Sequence, residues 1–167
     1  RLTGPSVVLG ASWDPSDLVR VAGSVTWSGN LHAEPTTAGA GPERDIDIPM
    51  EYRLGASGSL SPRLSLNLGA TFADWSVATD DLNDGSGVEN AWSYGGGLEW
   101  EGPQLLGRNF PLRLGARHSD LPFRFEGAEP TEDVIAFGAG LNLLGDPEEP
   151  VATADFSLRR GARDAGV

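Results

Sequence analysis

The chain has no cysteine and no lysine, one methionine, two histidines and two tyrosines among its 167 residues. Without cysteine there are no disulfides and no thiolate metal sites. All 12 basic residues are arginine, against 24 acidic ones, for a net charge of -12. That balance argues against nucleic acid as a partner, because phosphates need a basic patch. Long hydrophobic runs are also absent. The longest, Val134–Leu141, has 8 residues, two of them glycine. A transmembrane helix needs about 20 apolar residues, so none is encoded here. Barrel strands hide apolar content in alternation, and the mean hydropathy of -0.23 is compatible with that.

What is present is alternation. From Arg44 to Phe72 the sequence organises the rest of the chain. Ile46, Ile48, Met50, Tyr52, Leu54 and Ala56 occupy every second position, with Asp45, Asp47, Glu51, Arg53, Gly55 and Ser57 between them. After Gly58–Pro62 the pattern resumes with Leu64, Leu66, Leu68, Ala70 and Phe72. Successive strand side chains point to opposite faces, so this is a hairpin with one apolar and one polar face. Its first arm is expected to run for over a dozen residues, whereas soluble strands usually stop at about five or six.

Taken in order, the sequence predicts eight strands and no helix. They cover about 6–13, 18–28, the two arms of the hairpin, a fifth through Trp92–Trp100, a sixth through Leu112–Arg117, a seventh at 134–144 and an eighth at 151–160. The residues from Arg160 to Val167 read as a loop. Turn signals such as Asp14–Asp17 separate the strands. Short connections alternate with the long ones 29–43, 79–90 and 119–133. The fold expected is all-β: an antiparallel up-and-down transmembrane β-barrel, here about eight strands in a single domain. A soluble barrel or sandwich would alternate too, with the apolar face inward.

Charges facing lipid cost about 2–4 kcal/mol each near the midplane. Arg20, Glu51, Arg53, Arg63, Asn67, Glu99, Arg113, Arg117, Asp155 and Arg159 are therefore expected to line a lumen. Trp13, Trp27, Tyr52, Trp75, Trp92 and Trp100 are expected on the lipid side, mostly near strand ends as an aromatic girdle. The long loops should leave one end as an anionic rim that divalent ions could bridge to lipopolysaccharide.

Catalysis is not signalled. His32 and His118 have no patterned nucleophile beside them, and the Gly-x-Gly at 138–140 lies inside a strand with no helix after it. No cofactor is expected. The loop at 80–87, with Asp80, Asp81 and Asp84, is a weak calcium candidate because Leu82 interrupts the ligand spacing.

Three segments carry a resemblance: 112–123 (LRLGARHSDLPF), 130–143 (PTEDVIAFGAGLNL) and 154–161 (ADFSLRRG). Together they resemble the C-terminal part of FadL-like proteins, the long-chain fatty-acid transporters of the outer membrane of Gram-negative bacteria. The resemblance implies a 14-stranded barrel, porin-like in architecture, with an N-terminal plug and passage of hydrophobic small molecules. The plug and the last strand have no counterpart here, so no substrate residue carries over. The chain would then be a fragment supplying strands 6 through 13. The expected partners are outer-membrane lipid, lipopolysaccharide and a hydrophobic ligand. A non-transport outer-membrane scaffold, secretion-associated or a small eight-stranded anchor, is the alternative.

Overall fold

The computed structural model describes residues 1–35, 42–78, 90–105, 108–124, 128–145 and 150–165. The strands in chain order are β1 (Leu2–Thr3), β2 (Ser6–Ser16), β3 (Val19–Ser28), β4 (Leu31–Ala33), β5 (Arg44–Ile46), β6 (Glu51–Ser61) and β7 (Leu64–Asp74). They continue with β8 (Asn90–Trp100), β9 (Gln104–Leu105), β10 (Arg108–Asn109), β11 (Leu112–Asp120), β12 (Thr131–Gly145) and β13 (Pro150–Asp164). Among the described residues the one helical element is a 3-10 turn, Trp75–Ala78.

Eight strands form one antiparallel meander in the order β13-β12-β11-β8-β7-β6-β3-β2. Tight turns lie at Asp17–Leu18 and Pro62–Arg63. The connections from β3 to β6, β7 to β8 and β11 to β12 leave from the opposite end, as expected for the three long loops. Among the described residues β2 and β13 are unpaired on their outer sides, so the sheet is open. The calcium-candidate residues Asp80, Asp81 and Asp84 lie outside the described residues.

The register runs obliquely. One row of paired residues passes through Trp13, Val21, Ala56, Leu68, Gly96, Ala116, Ile135 and Arg160. Trp13 is three residues from the turn end of β2, Ser16, whereas Arg160 is ten from the turn end of β13, Pro150. Along the same row the distance to the turn end is two residues on β3, five on β6, four on β7, β8 and β11, and ten on β12, so most of the slip falls between β11 and β12.

Among the described residues no layer packs on either face of the large sheet. The chain exposes 11647 Å², and the buried apolar residues are Ala73 and Ala78. A globular monomer of 17.5 kDa would expose about 7,900 Å². Leu54, Ile135 and Leu158 remain 67%, 63% and 65% exposed.

Several elements differ from the sequence expectation. The long arm beginning at Arg44 is not one strand. Arg44–Ile46 belongs to a separate three-stranded sheet, β1-β4-β5, and β6 starts only at Glu51. Pro49 lies in the gap, and a proline has no N–H to give to a ladder. Ile46, Ile48 and Met50 thus keep the alternating phase but sit outside the large sheet. β2 continues through Pro15 to Ser16 by means of a register shift between Trp13 and Ser16, which an edge strand tolerates. The supposed loop after Arg160 is strand, pairing Gly161–Asp164 with Thr131–Val134. Trp75 sits in the 3-10 turn beyond β7, not on a strand.

Candidate functional site

Paired residues on neighbouring strands share a face, so the register sorts every side chain of the large sheet. One face carries Leu9 and Trp13, Val21 and Val25, Tyr52 and Leu54, Leu66 and Leu68, Tyr94 and Leu98, Leu114, Phe137 and Leu158 in matched phase. Of the expected girdle, Trp13, Trp27, Tyr52, Trp92 and Trp100 lie on it. Tyr52, Phe72 and Trp92 form a row across three strands, with ring centroids 6.3 Å and 4.6 Å apart. A trough of about 880 Å³ crosses this face over Ala56, Ala70, Gly96 and Ala116.

The other face holds nine of the ten expected polar residues: Arg20, Glu51, Arg53, Asn67, Glu99, Arg113, Arg117, Asp155 and Arg159. The exception is Arg63, which sits in the turn after β6. Here the charges compensate one another. Arg113 donates from Nε to Glu99 Oε2 at 2.8 Å and from Nη1 to Asp155 Oδ1 at 2.6 Å. Reaching Asp155 means crossing β12, and Gly138 and Gly140 make that possible. A Cβ at Gly140 would stand 2.9 Å from the Asp155 carboxylate, and one at Gly138 would stand 3.4 Å from Arg113 Cβ. The Gly-x-Gly of the sequence is therefore a clearance for an ion pair.

Glu132 accepts from Arg163 Nε at 2.9 Å and lies 3.5 Å from Arg117 Nη2. Arg20 grips Asp14 with two hydrogen bonds, at 2.7 and 3.1 Å, and Arg53 pairs with Glu51. Ser93 and Ser119 share a hydroxyl hydrogen bond of 2.8 Å.

The two histidines have partners that reading each strand separately missed. His118 is in phase with Leu112, Leu114 and Ala116, so it lies on the apolar face. Its Nδ1 is 2.7 Å from Asp133 on β12, its Nε2 3.4 Å from Asp120, and its ring 5.2 Å from that of Tyr94. His118 and Asp120 lie at the end of β11, and Asp133 near the start of β12. Asp133 being in phase with Ile135 and Phe137 was the available signal. His32, expected in a loop, is on β4, with Nδ1 2.7 Å from Asp45 and Nε2 3.7 and 3.9 Å from Glu34 and Glu43. The hydrogen bond to Asp45 raises its pKa above the ordinary imidazole value; partial burial opposes this, and the charges of Asp45, Glu34 and Glu43 reinforce it. Among the described residues no group of three or more such side chains has the geometry to hold a metal ion.

No protein-family model matches this chain, and no curated protein matches it.

Proposed function

We propose that the chain forms part of the wall of an outer-membrane β-barrel, with its apolar face to lipid and its polar face to a water-filled lumen. The observation that carries this reading is an eight-stranded sheet with two unlike faces, neither of them covered among the described residues. It leaves about 3,700 Å² more surface in contact with its surroundings than a globular chain of this mass, and much of it is apolar. Lipid on one side and water on the other supply what a packed core supplies elsewhere. One dimension supports the reading. From Trp92 to Trp100 a strand rises about 26 Å, close to the apolar height of about 25 Å in outer-membrane barrels.

Within that wall we infer uptake of hydrophobic small molecules such as long-chain fatty acids. The resemblance over Leu112–Gly161 motivates it, and those residues form the contiguous strands β11, β12 and β13. A scaffold role is the second reading. The lattice joining Glu99, Arg113 and Asp155 favours it, because the lattice ties strands together across the face. In membranes of cells producing the protein, we expect it to survive alkaline carbonate and urea washes and to dissolve only with detergent. Monodisperse protein in detergent-free buffer would overturn the membrane reading. Vesicles containing it should admit a fluorescent long-chain fatty acid faster than protein-free vesicles, and equal rates would leave the scaffold.

A further inference from the structure

The polar face carries a feature that wall-building does not need. Along one row of paired residues lie Arg53, Thr71, Ser93, Ser119, Glu132 and Arg163. The next row begins Gly55, Gly69, Gly95 and then Arg117. Three strands thus present only hydrogen where their neighbours present side chains. The result is a cavity of about 440 Å³ with Gly69 and Gly95 in its lining and Arg53, Thr71, Ser93 and Arg117 around it. Gly95 is also sterically obligatory. A Cβ there would stand 2.6 Å from the Ala116 carbonyl oxygen and 3.1 Å from Arg117 Cα.

We infer that this cavity binds a small oxyanion, a carboxylate or a phosphate, between the guanidinium groups of Arg53 and Arg117. The local charge supports an anion. Among the described residues of the sheet, Arg53, Arg117, Arg159 and Arg163 share this end of the face with Glu51 and Glu132, an excess of two positive charges in a chain of net charge -12. Arg117 is the loosely held one. Its carboxylate partner Glu132 sits 3.5 Å away and is taken at 2.9 Å by Arg163, with Arg159 adding to the field on Glu132. Guanidinium groups are planar multiple donors matched to carboxylate and phosphate oxygens. The Thr71 hydroxyl adds a neutral donor at the same level of the sheet, and Ser93 adds a second when Ser119 is the donor of their shared hydrogen bond. Arg113 differs, because Glu99 and Asp155 occupy it from both sides. The inference goes beyond the membrane reading and rests on the polar face alone.

The test is a titration of the full chain, in whatever solvent keeps it monodisperse, followed by the NMR signals of the arginine Nε–H groups. Inorganic phosphate and acetate are added separately, with chloride holding ionic strength constant. Saturable shifts at Arg53 and Arg117, with Arg113 unmoved, are expected. R53Q and R117Q should each weaken binding about threefold to tenfold, the worth of one charge-assisted hydrogen bond at an exposed site, and R113Q should leave it unchanged. T71V, which keeps the charge and the shape, should weaken it about twofold to threefold, and it carries the test should an arginine variant fail to fold. Saturation by phosphate alone assigns a phosphoryl site, and saturation by both assigns a general oxyanion site. Linear shifts of all arginines alike, or saturable binding that R53Q and T71V leave intact, would overturn the inference.

Discussion

The two faces of the sheet are made by the same strands, residue by residue, and solve opposite problems. On the apolar face Leu54, Leu68, Leu114 and Ile135 stand open, and nothing within the described residues covers them. On the polar face the charges find partners within the sheet: Arg113 with Glu99 and Asp155, Glu132 with Arg163 and Arg117, Arg20 with Asp14. One face meets most of its own polar needs and the other leaves its apolar side chains open. In the proposed membrane setting that difference locates the stabilising energy: burial against lipid on one side, and on the other ion pairs that stay half-exposed and contribute little each.

The largest break in this symmetry would be a charge on the wrong face. Leu114→Arg should cost about 2–4 kcal/mol if Leu114 faces the bilayer midplane, whereas Asn67→Arg on the polar face should cost under about 1 kcal/mol. Urea unfolding in phosphatidylcholine vesicles reads both. Equal costs would erase the distinction between the faces.

A smaller effect sharpens the account of the polar face. Arg113→Ala leaves Glu99 and Asp155 without their shared cation. Both carboxylates are about half-exposed, so the loss should be about 1 kcal/mol or less. Adding Glu99→Gln should recover part of it, and a cycle of the single and double variants measures the coupling. Strict additivity would mean that the lattice is incidental.

Smaller again is the pH response of the outlying sheet β1-β4-β5. The pKa of His32 is raised in the folded chain, chiefly by its hydrogen bond to Asp45. The contribution is therefore fully present below the unfolded imidazole value of about 6.5, and it is lost as pH rises through the folded value. Hydrogen-exchange protection at Ala33 and Ile46 should fall from about pH 6 to about pH 8, and His32→Gln should flatten the profile. Protection that rises over that window would reverse the sign of the argument.

The faces were legible in the sequence because a strand's period of two is written residue by residue. Tyr52, Leu54, Leu64, Leu66, Leu68 and Phe72 declare their side without reference to any neighbour. Hydrogen bonding is not written that way. Ile46 and Ile48 keep the phase of Tyr52, yet Pro49 takes no part in a ladder and β6 begins after it. Gly161 to Arg163 has no apolar alternation to announce a strand, and its pairing comes from Thr131–Val134 across the hairpin. The pairs His118–Asp133 and His32–Asp45 are facts of register between strands, as is the cavity between Arg53 and Arg117. Each member was visible, and the juxtaposition needed the sheet.

The central claim is that one face meets lipid and the other water, and the absence of native cysteine makes it directly testable. Single cysteines placed in turn from Leu64 to Phe72 on β7, spin-labelled in vesicles, report collision with dissolved oxygen and with a water-soluble nickel chelate. The account predicts a period of two. Leu66, Leu68 and Ala70 should favour oxygen, and Asn67, Gly69 and Thr71 should favour the chelate. Uniform access of the chelate along β7, or shielding of the even positions from both reagents as in a packed protein core, would contradict it.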